Sequence, residues 1–186
     1  MKIFSTKTGQ LQHKIKKHTD WVTAVAFSPD GQMLATADRT GSISVWDPDN
    51  AQELFTLAGH KTAVTALSWR ADSKLLASCG EDGLGKLWEM QEGKQAKSWT
   101  VHDKGALWLS YCRDGRLVTC GRDRNITVWA TTGVQARKMK SFDDLPLRAV
   151  FSQDGKRIFG ADFSGNLAAW TATDGKRIAD LDPNPL

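Results

Sequence analysis

No run of apolar residues in this sequence approaches the roughly 18 that cross a bilayer. The opening MKIFSTKTGQLQHKIKKH also has no hydrophobic stretch of the kind a secretory leader carries. On that basis the chain is expected to stay where it is made, in the cytoplasm and off the membrane. Cysteine is scarce: Cys79, Cys112 and Cys120 are too few and too odd in number for a disulfide framework in a chain of 186 residues. No CxxC, CxxCH or HExxH occurs, and Gly80, Gly83 and Gly85 do not have the spacing of a dinucleotide loop. DPDN at Asp47–Asn50 has too few carboxylates for a calcium loop and reads as a turn. No metal and no cofactor is expected.

Concentrated positive charge is missing from most of the chain as well. The formal net charge is +4, and residues 1–18 contribute +5 of it through Lys2, Lys7, Lys14, Lys16 and Lys17 with no acid, which leaves −1 for the rest. Lysines on a strand edge discourage edge-to-edge aggregation, and that local role accounts for them without a nucleic-acid partner. What the composition does show is an ordinary soluble domain, 40% hydrophobic and 25% charged, long enough to bury a core.

The clearest positive signal is repetition. CGEDGLGKLW at Cys79–Trp88 returns as CGRDRNITVW at Cys120–Trp129, and Trp46, Trp88, Trp129 and Trp170 fall 42, 41 and 41 residues apart. His18, His60 and His102 stand in front of the first three at a spacing of 42, and the turn SPDG at Ser28–Gly31 recurs as RADS, CRDG and SQDG. Between these marks lie short segments rich in Val, Ile, Leu and Trp, such as WVTAVAF, MLATA, SISVW and ELFTL, separated by Gly, Asp, Pro and Asn. Each unit therefore predicts four antiparallel strands, and one such small sheet cannot bury both faces by itself. The sheets must stack on one another.

With Gly59-His60 as a GH pair and Trp46-Asp47 as a WD pair, the sequence resembles the WD40 repeat family over nearly its whole length. WD becomes WE at Trp88-Glu89 and WA at Trp129-Ala130, and the last repeat has no His. The resemblance implies an all-β fold, a β-propeller of four-stranded blades. It also implies that His60, Ser78, Asp82 and Trp88, and again His102, Thr119, Asp123 and Trp129, form the family's structural tetrads. In the first full repeat His18, Thr36 and Trp46 are present, with Thr40 where the aspartate belongs. In the last repeat only Trp170 remains, with Gly160 and Ser164 at the polar positions. His60, Ser78 and Asp82 could also be the members of a hydrolase triad, but a set that returns in the next repeat argues for structure over catalysis.

Aligning residues 1–17 with the end of the next repeat pairs Ile3 with Val45 and Phe4 with Trp46, so they supply the last two strands of a blade. Full units follow at about 18–59, 60–101, 102–140 and 141–186, giving four and a half blades. An open arc exposes a face at each end, so either a second copy or the missing blades of a longer chain is expected to complete the ring. The stretch DLPLRAVFSQDGKRIFGADFSGNLAAWTATDGKRIADLDPNP resembles bacterial proteins that join WD40 repeats to c-type haem domains. Membership of such an exported parent would move the chain to the periplasm.

Function on this fold comes from surfaces. The loops after the second and fourth strands of a blade share one rim, which in the family is commonly a protein-binding face. Arg39, Glu81, Arg122 and Phe163 from the first set, and Trp21, Lys61, Asp103 and Lys104 from the second, are the expected protein-binding rim residues. Trp21 stands out because Ala63 and Gly105 occupy its equivalent positions. Trp69, Trp99 and Trp108 lie within strands and are expected to pack. The resulting expectation is a non-enzymatic scaffold for a protein or peptide. The alternative is a purely structural assembly element, and more remotely a hydrolase.

Overall fold

The computed structural model describes residues 1–140 and 142–181; residue 141 and residues 182–186, at the ends of the last expected unit, lie outside the described residues. The described residues form strands and turns without a helix, so none is long and apolar enough to cross a membrane. A two-stranded sheet comes first, β1 (Lys2–Phe4) against β2 (Leu11–Lys14). Four four-stranded antiparallel sheets follow, each laid down in chain order from the inner strand outward. Blade 1 holds β3 (Val22–Phe27), β4 (Leu34–Asp38), β5 (Ile43–Trp46) and β6 (Glu53–Leu57). Blade 2 holds β7 (Val64–Trp69), β8 (Leu75–Gly80), β9 (Leu84–Glu89) and β10 (Lys94–Thr100). Blade 3 holds β11 (Ala106–Tyr111), β12 (Leu117–Gly121), β13 (Asn125–Trp129) and β14 (Gln135–Lys140), and blade 4 holds β15 (Pro146–Phe151), β16 (Arg157–Asp162), β17 (Leu167–Thr171) and β18 (Arg177–Leu181). The all-β expectation holds, and the sheets form a partial propeller.

Burial explains why the segments look different from one another. Strands covered on both faces bury every residue, and β4, β5 and β12 are buried throughout, including their polar residues Thr36, Asp38, Ser44 and Thr119. The outer strands are covered less, so β6 and β10 mix exposed with partly buried residues and bury only Leu57. The core is a series of clusters between successive sheets. Ala35, Ala37, Ile43 and Val45 of blade 1 pack on Val64, Leu67 and Trp69 of blade 2. Cys79 and Leu87 of blade 2 pack on Ala106 and Leu109 of blade 3, and Cys120, Ile126 and Val128 of blade 3 pack on Ala149 and Ile158 of blade 4. The half-blade joins the series through Ile3 and Ile15 against Leu34 and Trp46.

The inner strand of every blade carries one extra residue against its partner, between Val22 and Ala24, Val64 and Ala66, Ala106 and Trp108, and Pro146 and Arg148. The bulged residue binds the next sheet. Thr23 Oγ1 donates to Val64 O at 2.6 Å, and Thr65 Oγ1 donates to Ala106 O at 2.9 Å. In blade 3 the bulged residue is Leu107, which has no hydroxyl, and the Cys120 thiol instead donates to Pro146 O at 3.2 Å. The chain therefore makes the same inter-blade link three times, twice with a hydroxyl and once with a thiol.

The three tryptophans expected to pack do so. Trp69 is buried and its Nε1 donates to Ala26 O of blade 1 at 2.9 Å. Trp99 meets Trp129 edge-on at 5.7 Å, and Trp108 lies 4.2 Å beneath the Arg148 guanidinium. All three cysteines are free and buried, and burial pushes the Cys79 thiol up to about 12 and the Cys120 thiol higher still. Neither is a reactive thiol.

Candidate functional site

Two sets of groups have the residue types to carry function, the buried polar networks and the exposed rim. In blade 2 His60 Nε2 lies 2.8 Å from Ser78 Oγ, His60 Nδ1 lies 3.0 Å from Asp82 Oδ2, and Trp88 Nε1 donates to Ser78 Oγ at 2.8 Å. Blade 3 repeats the arrangement. His102 Nε2 is 2.8 Å from Thr119 Oγ1, His102 Nδ1 is 2.7 Å from Asp123 Oδ1, and Trp129 Nε1 donates to Thr119 Oγ1 at 2.9 Å. Burial of His60 disfavours its imidazolium and outweighs the attraction of Asp82, so its pKa lies below the ordinary histidine value. Burial acts on Asp123 in the opposite sense, but hydrogen bonds from His102 and Asn125 win, and its carboxyl is held well below the usual carboxylate range.

Blade 1 corrects one expectation. The aspartate absent from position 40 is supplied from two residues earlier: His18 Nδ1 lies 2.6 Å from Asp38 Oδ2, while His18 Nε2 is 2.7 Å from Thr36 Oγ1 and Trp46 Nε1 donates to the same oxygen at 2.9 Å. Thr40 is part of the support, since its hydroxyl donates to Asp38 Oδ1 at 2.7 Å. Position 38 corresponds to Gly80 and Gly121, where a Cβ would come within 3.1 Å of His60 Nδ1 and 2.3 Å of His102 Cγ. A glycine there makes room for the carboxylate two residues on; an aspartate there makes the contact itself. The trace of this in the sequence is that Asp-x-Thr in one repeat aligns with Gly-x-Asp in the next two, which marks the exchange without showing which atoms meet.

Blade 4 has no polar network, and the sequence expectation missed what replaced it. Phe142 stands where the other blades have histidine, and its ring meets Trp170 edge-on at 5.4 Å and 86°. Gly160, in the place of Thr119, permits the approach, since a Cβ there would sit 3.0 Å from Trp170 and 3.3 Å from Phe142. Ser164 takes no part and donates instead to Asp144 Oδ2 at 2.6 Å. Asp162, the counterpart of Asp38, accepts from the Asn166 backbone and side chain at 2.8 Å each and holds only the turn.

The hydrolase alternative fails on access. Ser78 is 0% exposed, and its oxygen already has partners in His60 and Trp88, so no substrate carbonyl can reach it. Among the described residues no group of three or more His, Cys, Asp or Glu is placed to hold a metal.

On the rim, four equivalent backbone bonds fix four equivalent side chains. Arg39 N donates to Trp21 O, Glu81 N to Ala63 O, Arg122 N to Gly105 O and Phe163 N to Leu145 O, all within 2.9 to 3.1 Å. The loops carrying the expected rim residues are thereby tied together in every blade. Trp21 is 74% exposed with the Arg39 guanidinium 5.4 Å above its ring, and Phe163 is 73% exposed. Between them Arg122 and Glu81 pair across neighbouring blades at 3.2 Å. Lys61, Asp103 and Lys104 are exposed in the loops entering blades 2 and 3, and the Lys61 backbone N donates to Asp82 Oδ2 at 3.3 Å.

Stacked four-stranded blades with a His–Ser/Thr–Trp network in successive repeats define a repeat-built β-propeller. The family described as "WD domain, G-beta repeat" matches residues 9–47, 51–89 and 93–130, more than half of the chain, and the chain belongs to that WD40 family. Among curated proteins it is 32% identical over 69 residues to U3 small nucleolar RNA-interacting protein 2 of Mus musculus, covering 31% of this chain and 14% of that one. It is 46% identical over 43 residues to kinesin-like protein KIF21B of Homo sapiens, covering 23% and 3%. The chain thus spans a small part of these relatives. The solved structures titled "Structure of U3-55K" and "Crystal structure of RRP9 WD40 repeats" each superpose with a TM-score of 0.80, at 19% and 20% identity, over 88% of this chain and 52% of theirs. At that identity the likeness is one of fold.

Proposed function

We propose that the chain is a non-enzymatic interaction scaffold that holds a protein or peptide on the rim formed by Trp21, Arg39, Lys61, Glu81, Asp103, Lys104, Arg122 and Phe163. The observation that carries this reading is the exposed Trp21 ring stacked beneath Arg39, at a position where the neighbouring blades have Ala63 and Gly105. Nothing in the blade core uses that indole, and exposed aromatics with arginine are the side chains that dominate binding hot spots. Family membership supports a role in partner binding.

One of those relatives is named for interacting with a small nucleolar RNA, and that partner is not proposed for this chain. The lysines at positions 2, 7 and 14 lie in the half-blade, Lys16 and Lys17 begin the loop that enters blade 1, and Lys17 is already paired with Glu53 at 2.9 Å. We place the protein in the cytoplasm; the likeness of the last repeats to haem-linked WD40 proteins would place an exported parent in the periplasm.

The test is selection of peptides on the folded chain from a displayed library, followed by binding to W21A, R39A and R122A variants. Loss of at least tenfold in affinity with an unchanged melting temperature supports the rim. Undiminished binding in all three rejects it.

A further inference from the structure

The end of the blades opposite the rim carries the turns from first to second strand and from third to fourth strand. There each outer strand meets the following blade. At three of the four junctions a basic side chain reaches the carbonyl three residues beyond the next blade's tryptophan. His13 Nε2 lies 2.7 Å from Asp49 O, Lys97 Nζ donates to Thr132 O at 2.6 Å, and Arg137 Nη2 donates to Thr173 O at 2.8 Å. The strand registers put Phe55 in the same place at the junction of blades 1 and 2, where its ring lies against Gly93. Gln91 O, the carbonyl matching Thr132 O and Thr173 O, therefore receives no cation.

The entry of the second strand shows the same exchange. Arg116 Nη2 crosses from blade 3 to Gly155 O of blade 4 at 2.6 Å, whereas Met33 occupies the matching position in blade 1. The matching carbonyl there is Ser73 O, on a residue with the left-handed conformation of Gly155, φ 59° against 69°. The junction of blades 1 and 2 thus keeps both acceptors and, among the described residues, has neither cation. In their place is a groove, two adjoining hollows of about 610 and 630 Å³ that share Met33 and Met90. Ser73 and Gln91 line the first hollow, and Leu54 and Phe55 line the second. Asp30, Asp72 and Glu89 edge the first, Asp47 and Asp49 the second. Only Arg70 and Lys74 among the lining residues oppose them, and Arg70 is already paired with Asp72 at 2.7 Å.

We infer that this groove binds a peptide segment of a partner that carries an arginine close to an apolar side chain. The guanidinium takes the acceptors that Arg116 and Arg137 take at the junction of blades 3 and 4, here Ser73 O and Gln91 O, and the surrounding carboxylates attract it. Arginine suits the place better than lysine, because a planar fork of donors can serve two acceptors at once. The apolar side chain covers Met33, Met90 and Phe55, and flexible thioethers adapt to its shape. Charge selects the partner: a basic segment complements this edge and an acidic one is repelled. All of the groove's residues belong to blades 1 and 2.

The probe is the labelled peptide acetyl-Gly-Arg-Gly-Leu-Gly-amide, titrated into the full 186-residue chain and followed by two-dimensional NMR. The expected result is saturable shifts of the Ser73 and Gln91 amides and of the Met33 and Met90 methyl groups. Affinity should fall at least fivefold when citrulline replaces the arginine, and again when serine replaces the leucine. Met33→Arg and Phe55→Lys, which supply the absent cations from within, should each weaken binding at least tenfold. Ala96→Lys adds the same charge at an exposed residue of β10 outside the groove and should change affinity less than twofold. Absence of saturable shifts overturns the inference, as does equal binding of the citrulline peptide, which needs no variant to fold. So does binding that Met33→Arg and Phe55→Lys leave intact, or that Ala96→Lys weakens as much as they do. A dimer that covers Met33 and Met90 and is not displaced by peptide overturns it too. The rim lies at the other end of the blades, so the two readings fail separately.

Discussion

Blades 3 and 4 are neighbours of the same topology, yet they hold their equivalent tryptophans in opposite ways. Trp129 is fixed by a buried chain of hydrogen bonds through Thr119 and His102 to Asp123, whereas Trp170 is fixed by the edge of Phe142 over Gly160. A satisfied polar network and an apolar aromatic pair are thus interchangeable at the level of the sheet. They are not interchangeable residue by residue, because a buried charge left without its partner is costly and a buried phenylalanine needs space.

The largest effect is therefore expected from copying blade 4 into blade 3 by halves. His102→Phe alone takes the imidazole from both Asp123 and Thr119, leaving the carboxylate to Lys138 and the Asn125 N–H, and should cost about 3–5 kcal/mol in urea denaturation. Adding Thr119→Gly, which opens the space that Gly160 provides in blade 4, should recover part of the loss. A cost below about 1 kcal/mol for the single change would show that the network contributes little. The next effect concerns the displaced carboxylate of blade 1. Asp38→Gly should cost about 2–3 kcal/mol, and Asp38→Gly with Thr40→Asp, the pattern of blades 2 and 3, should return most of it. No recovery in the double variant would mean that the two placements are not equivalent.

Acid sharpens the same contrast. His60 is held neutral by burial, with a pKa below that of the unfolded chain, so the unfolded state takes up the proton first. The stability it contributes is present above about pH 6.5 and declines as the pH falls below that value. Asp38 and Asp123, both lowered, add a second loss as the pH falls below about 4, the ordinary carboxylate range. Amide protection in β8 and β9, which hold the His60 partners Ser78 and Trp88, should decline with acid before that in β16 and β17. The reverse order, or no pH dependence, would sink this reading. At the blade 3–4 junction Cys120→Ala should cost about 0.5–1.5 kcal/mol by removing the donor to Pro146 O. The smallest change is Glu81→Gln on the exposed Arg122 pair, expected to stay within about 1 kcal/mol in thermal melts.

The repeat made much of this architecture legible. Four aligned tryptophans and the recurring Asp-Gly turns give strand number, order and the half-blade, because alternating short segments between turns have few other ways to bury their faces. The residues of the blade 2 and blade 3 networks could be named because they recur at fixed spacing. Asp38 and Phe142 could not be named the same way: each solves a neighbour's problem from an unexpected residue, and only side-chain geometry reveals which atoms meet. The bulge hydroxyls were equally silent, since a threonine in a β-strand needs no special explanation.

The three inter-blade links also set the mechanics of the arc. Regarded as rigid plates joined along their inner edges, the blades have two joints pinned by Thr hydroxyls and one pinned by the Cys120 thiol, and a thiol is the weaker donor. At that third joint the Arg116 guanidinium also donates to Gly155 O at 2.6 Å, so blade 4 is bolted to blade 3 by a charged donor as well as by the thiol.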